Sequence, residues 1–174
     1  MKKYLIISAG ILVCFCMLVF FGISGSNAQE DALSAAPKVL SIPGPAFEMP
    51  TSNTQYENWG VLHLIKGYGY VRAPLVLPNA TKITKVGLIC KDNSSSLNIR
   101  MWIHVFSNDL KKSFTIAYVE SQGAENTFRT FTTATINPNV VDNLKYFYFL
   151  NVSLPGSGSD YELAGAKVWY TGTW

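Results

Sequence analysis

After Trp59 the chain alternates between short runs of aromatic and β-branched residues and clusters of Gly, Pro, Asn, Asp and Ser. The runs define candidate strands at residues 61–66, 69–77, 82–90, 97–106, 113–120, 128–136, 145–154 and 162–171. About eight strands with regularly spaced turn signals are typical of a sandwich or a barrel. We therefore predict an all-β domain over residues 59–174: a two-sheet antiparallel sandwich, jelly-roll-like, with about eight strands.

Residues 97–106 show the clearest alternation in the chain. Successive side chains of a strand point to opposite faces, so one alternate set should face the core and the other should face away. The predicted core set is apolar throughout: Leu97, Ile99, Met101, Ile103 and Val105. The opposite face combines aromatic rings with polar groups: Asn98, Arg100, Trp102, His104 and Phe106.

A second aromatic row lies in residues 145–154, where Phe147 and Phe149 alternate with a predicted core set. That core set comprises Tyr146, Tyr148, Leu150 and Val152. A strand that is apolar on both faces is expected to be covered on both, by its own chain or by a partner. Three alternatives stay open for the two outward rows: cover by the same chain, self-association, or a platform for a ligand.

The N-terminus has the pattern of a secretion signal. A short positive segment, Met1–Tyr4, precedes an apolar stretch, Leu5–Ile23, and small residues at Ser26 and Ala28 match a peptidase site. We predict a signal peptide over residues 1–28 with cleavage after Ala28, and a secreted, cell-surface or periplasmic location in a bacterial host. The alternative is an uncleaved anchor, because the apolar stretch is long enough to span a bilayer.

Residues 29–58 are rich in proline, which fixes φ and cannot donate to a strand ladder. They are predicted to form an extended lead-in rather than a packed element. Within them, the short apolar piece Val39–Ile42 is a candidate edge strand.

The charge of the chain argues against nucleic-acid binding, and its cysteine content argues against a disulfide. The formal net charge is +3, with Lys2 and Lys3 in the leader, and no basic run occurs that would capture nucleic acid. Two of the three cysteines, Cys14 and Cys16, also lie in the leader. Cys90 alone remains, which excludes an intrachain disulfide and favours a buried thiol.

No catalytic or metal-binding constellation stands out. The chain has two histidines, His63 and His104, on separate candidate strands, and no G-x-S-x-G motif. No H-x-H or H-x-x-x-H pair suggests a zinc site. The acidic residues fall in or beside turns, where solvated charges and Asx turns are usual. We therefore predict no enzyme activity, no cofactor and no metal.

Three segments together resemble a widespread set of uncharacterised secreted bacterial β-sandwich proteins. Residues 73–83 read APLVLPNATKI, residues 141–150 read VDNLKYFYFL, and residues 163–170 read LAGAKVWY. These are similar to the pattern APVxLPxGAxI, VDNxxYxYxL and LxGxxVxY of that set. The resemblance implies a β-sandwich and export, and it implies no activity or site.

The sequence predicts an exported, non-catalytic protein that self-assembles at the cell exterior as a homo-oligomer. The alternative is a carbohydrate-binding or adhesive module with a glycan as partner; nucleic acid, and a membrane after signal cleavage, are not expected partners. In both hypotheses the functional residues are those of the aromatic faces: Arg100, Trp102, His104, Phe106, Phe147 and Phe149.

Overall fold

The computed structural model describes residues 36–50 and 55–172. The predicted signal peptide and its cleavage site at Ala28 lie outside the described residues. The described residues from Pro37 onward belong to one compact unit. Within the described ranges, no helix is both long and apolar enough to cross a membrane.

Ten strands in this part of the chain form two antiparallel sheets. The strands are β1 Lys38–Pro43, β2 Tyr56–Asn58, β3 Leu62–Leu64, β4 Gly69–Pro74, β5 Lys82–Asp92, β6 Arg100–Ser107, β7 Ser113–Glu120, β8 Glu125–Thr133, β9 Tyr146–Leu154 and β10 Tyr161–Thr171. The six-stranded sheet has the order β2-β3-β10-β5-β8, with β1 also paired to β10. The four-stranded sheet has the order β4-β9-β6-β7.

The strand order is that of a jelly roll. Strands β3, β10, β5 and β8 lie side by side in one sheet, and β4, β9, β6 and β7 lie side by side in the other. From β3 to β10, consecutive strands alternate between the two sheets, except for β6 and β7, which are neighbours in one sheet. This is the double Greek-key pattern of that fold. The predicted two-sheet antiparallel sandwich is confirmed, and each of the eight predicted segments overlaps an observed strand.

The inner faces of the two sheets form the core, and β6 supplies its centre. Met101, Ile103 and Val105 are completely buried, as is Ile99 just before the strand, which confirms the predicted alternation. The prediction for Leu97 is wrong, because Leu97 lies in the loop before β6 and is 49% exposed. Period-two alternation applies only where the backbone is already part of a strand.

Strand β9 is apolar on both faces, but only its inner face is fully covered. Tyr148, Leu150 and Val152 are buried, whereas Phe147 on the outer face is 51% exposed. The chain itself therefore does not cover Phe147, and the alternative of cover by a partner stays a prediction there. Strand β4 ends at Pro74, which pairs with Phe149, so β4 contributes no neighbour beside Phe147.

The sandwich begins earlier than the predicted boundary at residue 59. Strand β1 pairs with β10 from Lys38 to Pro43, and Phe47, just beyond it, is completely buried in the core. Proline is tolerated here because Pro43 is the last residue of a strand at the sheet edge. Gly165 of β10 permits the close approach, since a Cβ at that position would collide with the Ile42 carbonyl oxygen.

A buried polar group anchors the loop between β5 and β6. Asp92 is 1% exposed and Ser121 is completely buried. Ser121 Oγ donates to Asp92 Oδ2 at 2.5 Å and accepts from the Ile99 amide at 2.8 Å. Asp92 Oδ1 accepts from the Ser94 amide at 3.0 Å. This network fixes where β6 begins, and therefore which β6 side chains face outward.

Two of the segments that carry the family resemblance meet in space. The Asn143 amide donates to Asn79 Oδ1 at 2.9 Å, and Asn143 Nδ2 donates to the Leu77 carbonyl at 2.8 Å. The Tyr146 amide then donates to the Asp142 carbonyl at 3.0 Å, which closes a turn before β9. These bonds hold the start of β9 in place relative to the connection between β4 and β5.

Candidate functional site

The outer face of the four-stranded sheet carries the six residues predicted from the sequence. Strands β6 and β9 are neighbours, so the two rows that the sequence shows separately belong to one surface. We call this surface the outer aromatic face. Its predicted members are Arg100, Trp102, His104 and Phe106 on β6 and Phe147 and Phe149 on β9. The flanking strands add Tyr70 and Arg72 from β4, Thr115 and Tyr118 from β7, and Asn151 and Ser153 from β9.

Two aromatic rings meet across β9. The rings of Tyr70 and Trp102 lie edge to face, with centroids 5.9 Å apart. Strand β9 separates them, and its outward side chains at this height are the small polar ones of Asn151 and Ser153. These small side chains leave room for the rings to approach each other above the strand. Edge-to-face pairs of this kind are favourable beyond their buried area.

A shallow depression of about 270 Å³ lies beside this ring pair. Its lining consists of Tyr70, Arg100, Trp102, Thr115, Tyr118 and Ser153. We call it the Trp102 depression. Tyr70 is 52% exposed and Tyr118 is 47% exposed, so aromatic surface stays open on two sides of Trp102. The lining thus combines three aromatic rings with hydroxyl and guanidinium groups.

Glu120 organises one side of the Trp102 depression. The Tyr118 hydroxyl donates to Glu120 Oε2 at 2.6 Å, and Arg100 Nε lies 3.6 Å from the same oxygen. Burial raises the pKa of Tyr118 above its usual value, and the hydrogen bond to Glu120 raises it further. Tyr118 is therefore a neutral donor with a fixed orientation at neutral pH.

Arg72 forms a second cluster on the same face. Its Nε donates to Asn151 Oδ1 at 2.8 Å. Its guanidinium carbon lies 5.3 Å from the centroid of the Phe149 ring and 5.7 Å from that of Phe106. Cation–π contacts of this geometry favour a single position of the guanidinium group.

Arg72 also lines a second depression, of about 360 Å³, at the β4 edge of the sheet. The other lining residues are Glu48, Met49, Pro50, Pro74 and Phe149. We call it the Arg72 depression. Glu48 is held beside β4 by two backbone hydrogen bonds of 2.8 Å to Arg72. The two depressions lie on either side of the row formed by Arg72, Asn151 and Trp102.

His104 lies in the apolar part of the face. Its ring centroid is 4.7 Å from that of Phe106. Burial lowers the pKa of His104 below its usual value, and the nearby positive charge of Arg72 lowers it further. His104 is therefore neutral at neutral pH, and both ring nitrogens remain available for weak polar contacts.

The site predicted from the sequence does not include Tyr70, Arg72 and Tyr118. Their signal was present, because Tyr70 and Arg72 alternate with the buried Val71 and Ala73 in β4. Assigning them to the same surface as Trp102 requires the order β4-β9-β6-β7. That order brings together strands that are far apart in sequence, and local alternation carries no information about it.

Among the described residues, no group of three or more His, Cys, Asp or Glu side chains is arranged to hold a metal ion. Cys90 is completely buried, and burial together with the charge of Asp92 raises the pKa of its thiol to about 12. A thiol in that state is a poor nucleophile. The outer aromatic face offers polar groups for hydrogen bonds and aromatic rings for stacking.

The fold and this face define a class of protein: a jelly-roll β-sandwich with an open aromatic surface on one sheet. Solved structures that are similar to it include the following three. The C-terminal CBM6 of LamC, a marine laminarinase from Zobellia galactanivorans, has a TM-score of 0.48 and 10% identity, covering 75% of this chain and 98% of its own. The CBM36-1 domain of a multidomain xylanase from the hindgut metagenome of Trinervitermes trinervoides has a TM-score of 0.47 and 9% identity, covering 79% and 99%.

A β-1,3-glucan binding CBM6 from Bacillus halodurans is the third, with a TM-score of 0.40 and 13% identity, covering 79% of this chain and 96% of its own. No protein-family model and no curated protein sequence matches the chain.

Proposed function

We propose that this protein is an exported carbohydrate-binding module, and that a saccharide binds on the Trp102 depression. The observation that carries the proposal is the ring pair of the exposed Tyr70 and the partly buried Trp102, bordered by polar side chains. Aromatic faces stack against the CH-rich faces of sugar rings, and a rigid ring loses little conformational entropy on binding. Hydroxyl and guanidinium groups at the margin would satisfy the sugar hydroxyls.

The arrangement of polar groups supports specificity for a polyhydroxylated ligand. Thr115 and Ser153 each provide a hydroxyl that can donate or accept, and Arg100 provides donors only. These groups surround the aromatic centre instead of forming a continuous apolar patch. A flat apolar surface would instead favour association with another protein.

A binding role without catalysis is part of the proposal. Glu120, the carboxylate paired with Arg100 across β6 and β7, is already engaged by Tyr118 and Arg100. A general acid or base in this position would need a carboxylate free to reach the bound sugar. Export is supported by the pattern of the N-terminal leader.

The first experiment is a glycan-array screen of the purified protein together with its Trp102→Ala variant. Trp59→Ala serves as the matched control, because Trp59 is 90% exposed in the turn between β2 and β3, away from this sheet. We expect the wild type and Trp59→Ala to bind the same glycans and Trp102→Ala to lose them. Wild-type protein that binds no glycan, or a Trp102→Ala variant that binds unchanged, would overturn the proposal.

A second candidate function is self-association, and one observation favours it. Leu110, Leu144 and Phe147 are 71%, 81% and 51% exposed, and they lie at one end of the four-stranded sheet. Asn108 Nδ2 donates to the Leu144 carbonyl at 2.9 Å, which holds the two turns that carry these leucines together. Light scattering over a range of concentrations tests this candidate, with Phe147→Gln expected to dissociate any oligomer. A monomer at every concentration would exclude it.

A further inference from the structure

Arg72 differs from the other two arginines of the chain in its electrostatic partners. Arg100 Nε lies 3.6 Å from Glu120, and Arg129 Nη1 lies 2.8 Å from Glu125. Among residues 36–50 and 55–172, no carboxylate lies within ion-pair distance of Arg72. Arg72 is nevertheless only partly exposed, so its charge is not simply solvated. A half-buried guanidinium without a counterion is suited to an anion that comes from outside.

The guanidinium is held in one orientation before any ligand arrives. Its Nε is bonded to Asn151, which is itself 6% exposed, and its guanidinium carbon lies 5.3 Å and 5.7 Å from the ring centroids of Phe149 and Phe106. No described residue accepts a hydrogen bond from its two Nη groups. Both groups therefore remain available as a pair of donors, the geometry that matches two oxygens of a carboxylate or sulfate. Fixing the side chain in advance lowers the entropy cost of binding.

Arg72 lies within reach of a saccharide on the Trp102 depression. Arg72, Asn151 and Trp102 are directly paired across β4, β9 and β6. Two strand spacings separate Arg72 from Trp102, about 9–10 Å between their backbones. We propose that the bound saccharide is acidic and that Arg72 binds its carboxylate or sulfate group. This inference rests on the proposed function, because it assumes a saccharide on the Trp102 depression.

The charge of Glu48 offers a second test of whether the ligand is acidic. Glu48 is among the residues that line the Arg72 depression, and its carboxylate forms no ion pair with Arg72, so its negative charge opposes the binding of an anion there. Replacing Glu48 with Gln removes the negative charge and keeps the size of the side chain. An acidic ligand should therefore bind Glu48→Gln more tightly than wild type, whereas a neutral ligand should not distinguish the two.

The test compares saccharides that differ only in charge. Oligogalacturonate is titrated against the protein in calorimetry beside its methyl ester, and a sulfated galactan oligosaccharide beside its desulfated form. We expect wild type to bind at least one acidic member about tenfold or more tightly than its neutral counterpart. Arg72→Gln should abolish that ratio and keep the affinity for the neutral form, and the pair that shows the ratio identifies carboxylate or sulfate. Arg129→Gln, which removes the same charge from β8, should retain the ratio.

Each other outcome has a defined meaning. If Trp102→Ala weakens binding but wild type does not distinguish acidic from neutral forms, the acidic-ligand inference is wrong and the proposed function stands. A preference for the acidic form that survives in Arg72→Gln also overturns the inference. If none of these four saccharides binds, the acidic-ligand inference fails, and the glycan-array result alone decides the proposed function. Thermal unfolding of each variant shows that a change in affinity does not reflect loss of the fold.

Discussion

The Trp102 ring on β6 and the Tyr70 ring on β4 meet edge to face above β9, with centroids 5.9 Å apart. These two residues are not neighbours in the sheet, and the contact depends on the small outward side chains that β9 presents between them. The pair turns a flat sheet face into an aromatic surface with a polar margin. The proposed function depends on this relationship.

Tyr70→Ala should weaken saccharide binding about tenfold, because it removes one ring of the surface and the edge support of Trp102. Tyr68→Ala is the matched control, since Tyr68 is 77% exposed in the connection before β4. Calorimetric titration of both variants with a glycan from the array checks the prediction. Equal affinities for the two variants would exclude Tyr70 from the site.

Ser121→Ala should lower the free energy of unfolding by about 1–3 kcal/mol, because the Ile99 amide and one Asp92 oxygen lose a buried partner. Ser113→Ala, an exposed position on β7, should change it by less than about 0.5 kcal/mol. Urea unfolding followed by circular dichroism gives both values. A change for Ser121→Ala as small as that for Ser113→Ala would mean that the network does not stabilise the start of β6.

Much of the fold could be predicted from local pattern. The inner face of β6 followed from alternation, because Met101, Ile103 and Val105 lie in a strand whose neighbours cover it. The candidate edge strand Val39–Ile42 lies within β1, which pairs with β10. The domain boundary was placed too late, at residue 59, because the prolines of residues 29–58 suggested an extended lead-in. Pro43 sits at a strand end, where a missing amide costs no ladder bond.

The candidate site was only half predictable. The β6 members followed from one strand, but Tyr70 and Arg72 join them only through the order β4-β9-β6-β7. Phe147 lies on the outer face, as alternation predicts, but its exposure depends on where β4 ends and not on its own strand. Which residues share one face of a sheet depends on the pairing of strands that are far apart in the sequence.

Cys90 should not react with a thiol reagent in the folded protein at neutral pH. It is completely buried, and burial raises the pKa of the thiol to about 12, so almost no thiolate is present. Alkylation followed by peptide mass spectrometry should label Cys90 only after denaturation. Rapid labelling of Cys90 under native conditions would contradict its position in the core between the sheets.

His104 should make the protein less stable in mild acid. Its pKa is lowered in the folded state, chiefly by burial and then by Arg72, so the unfolded chain takes up the proton at a higher pH. Stability is therefore fully present above the usual pKa of 6.5 and falls as the pH drops from there towards the lowered value. His104→Gln should lose this component, seen as a smaller drop in melting temperature between about pH 8 and pH 5. An identical drop in wild type and variant would contradict it.

The location of the bound saccharide tests the central claim most directly, and nuclear magnetic resonance of the isotope-labelled protein reports it during a titration. Three indole N–H signals serve as reporters: Trp102 on the outer aromatic face, Trp59 in the β2–β3 turn, and Trp169 on the six-stranded sheet beneath Lys85. The proposal predicts that the Trp102 signal shifts, together with the backbone signals of Tyr70 and Ser153, while Trp59 and Trp169 stay in place. Shifts centred on Trp169 or Trp59 with Trp102 unmoved would contradict it.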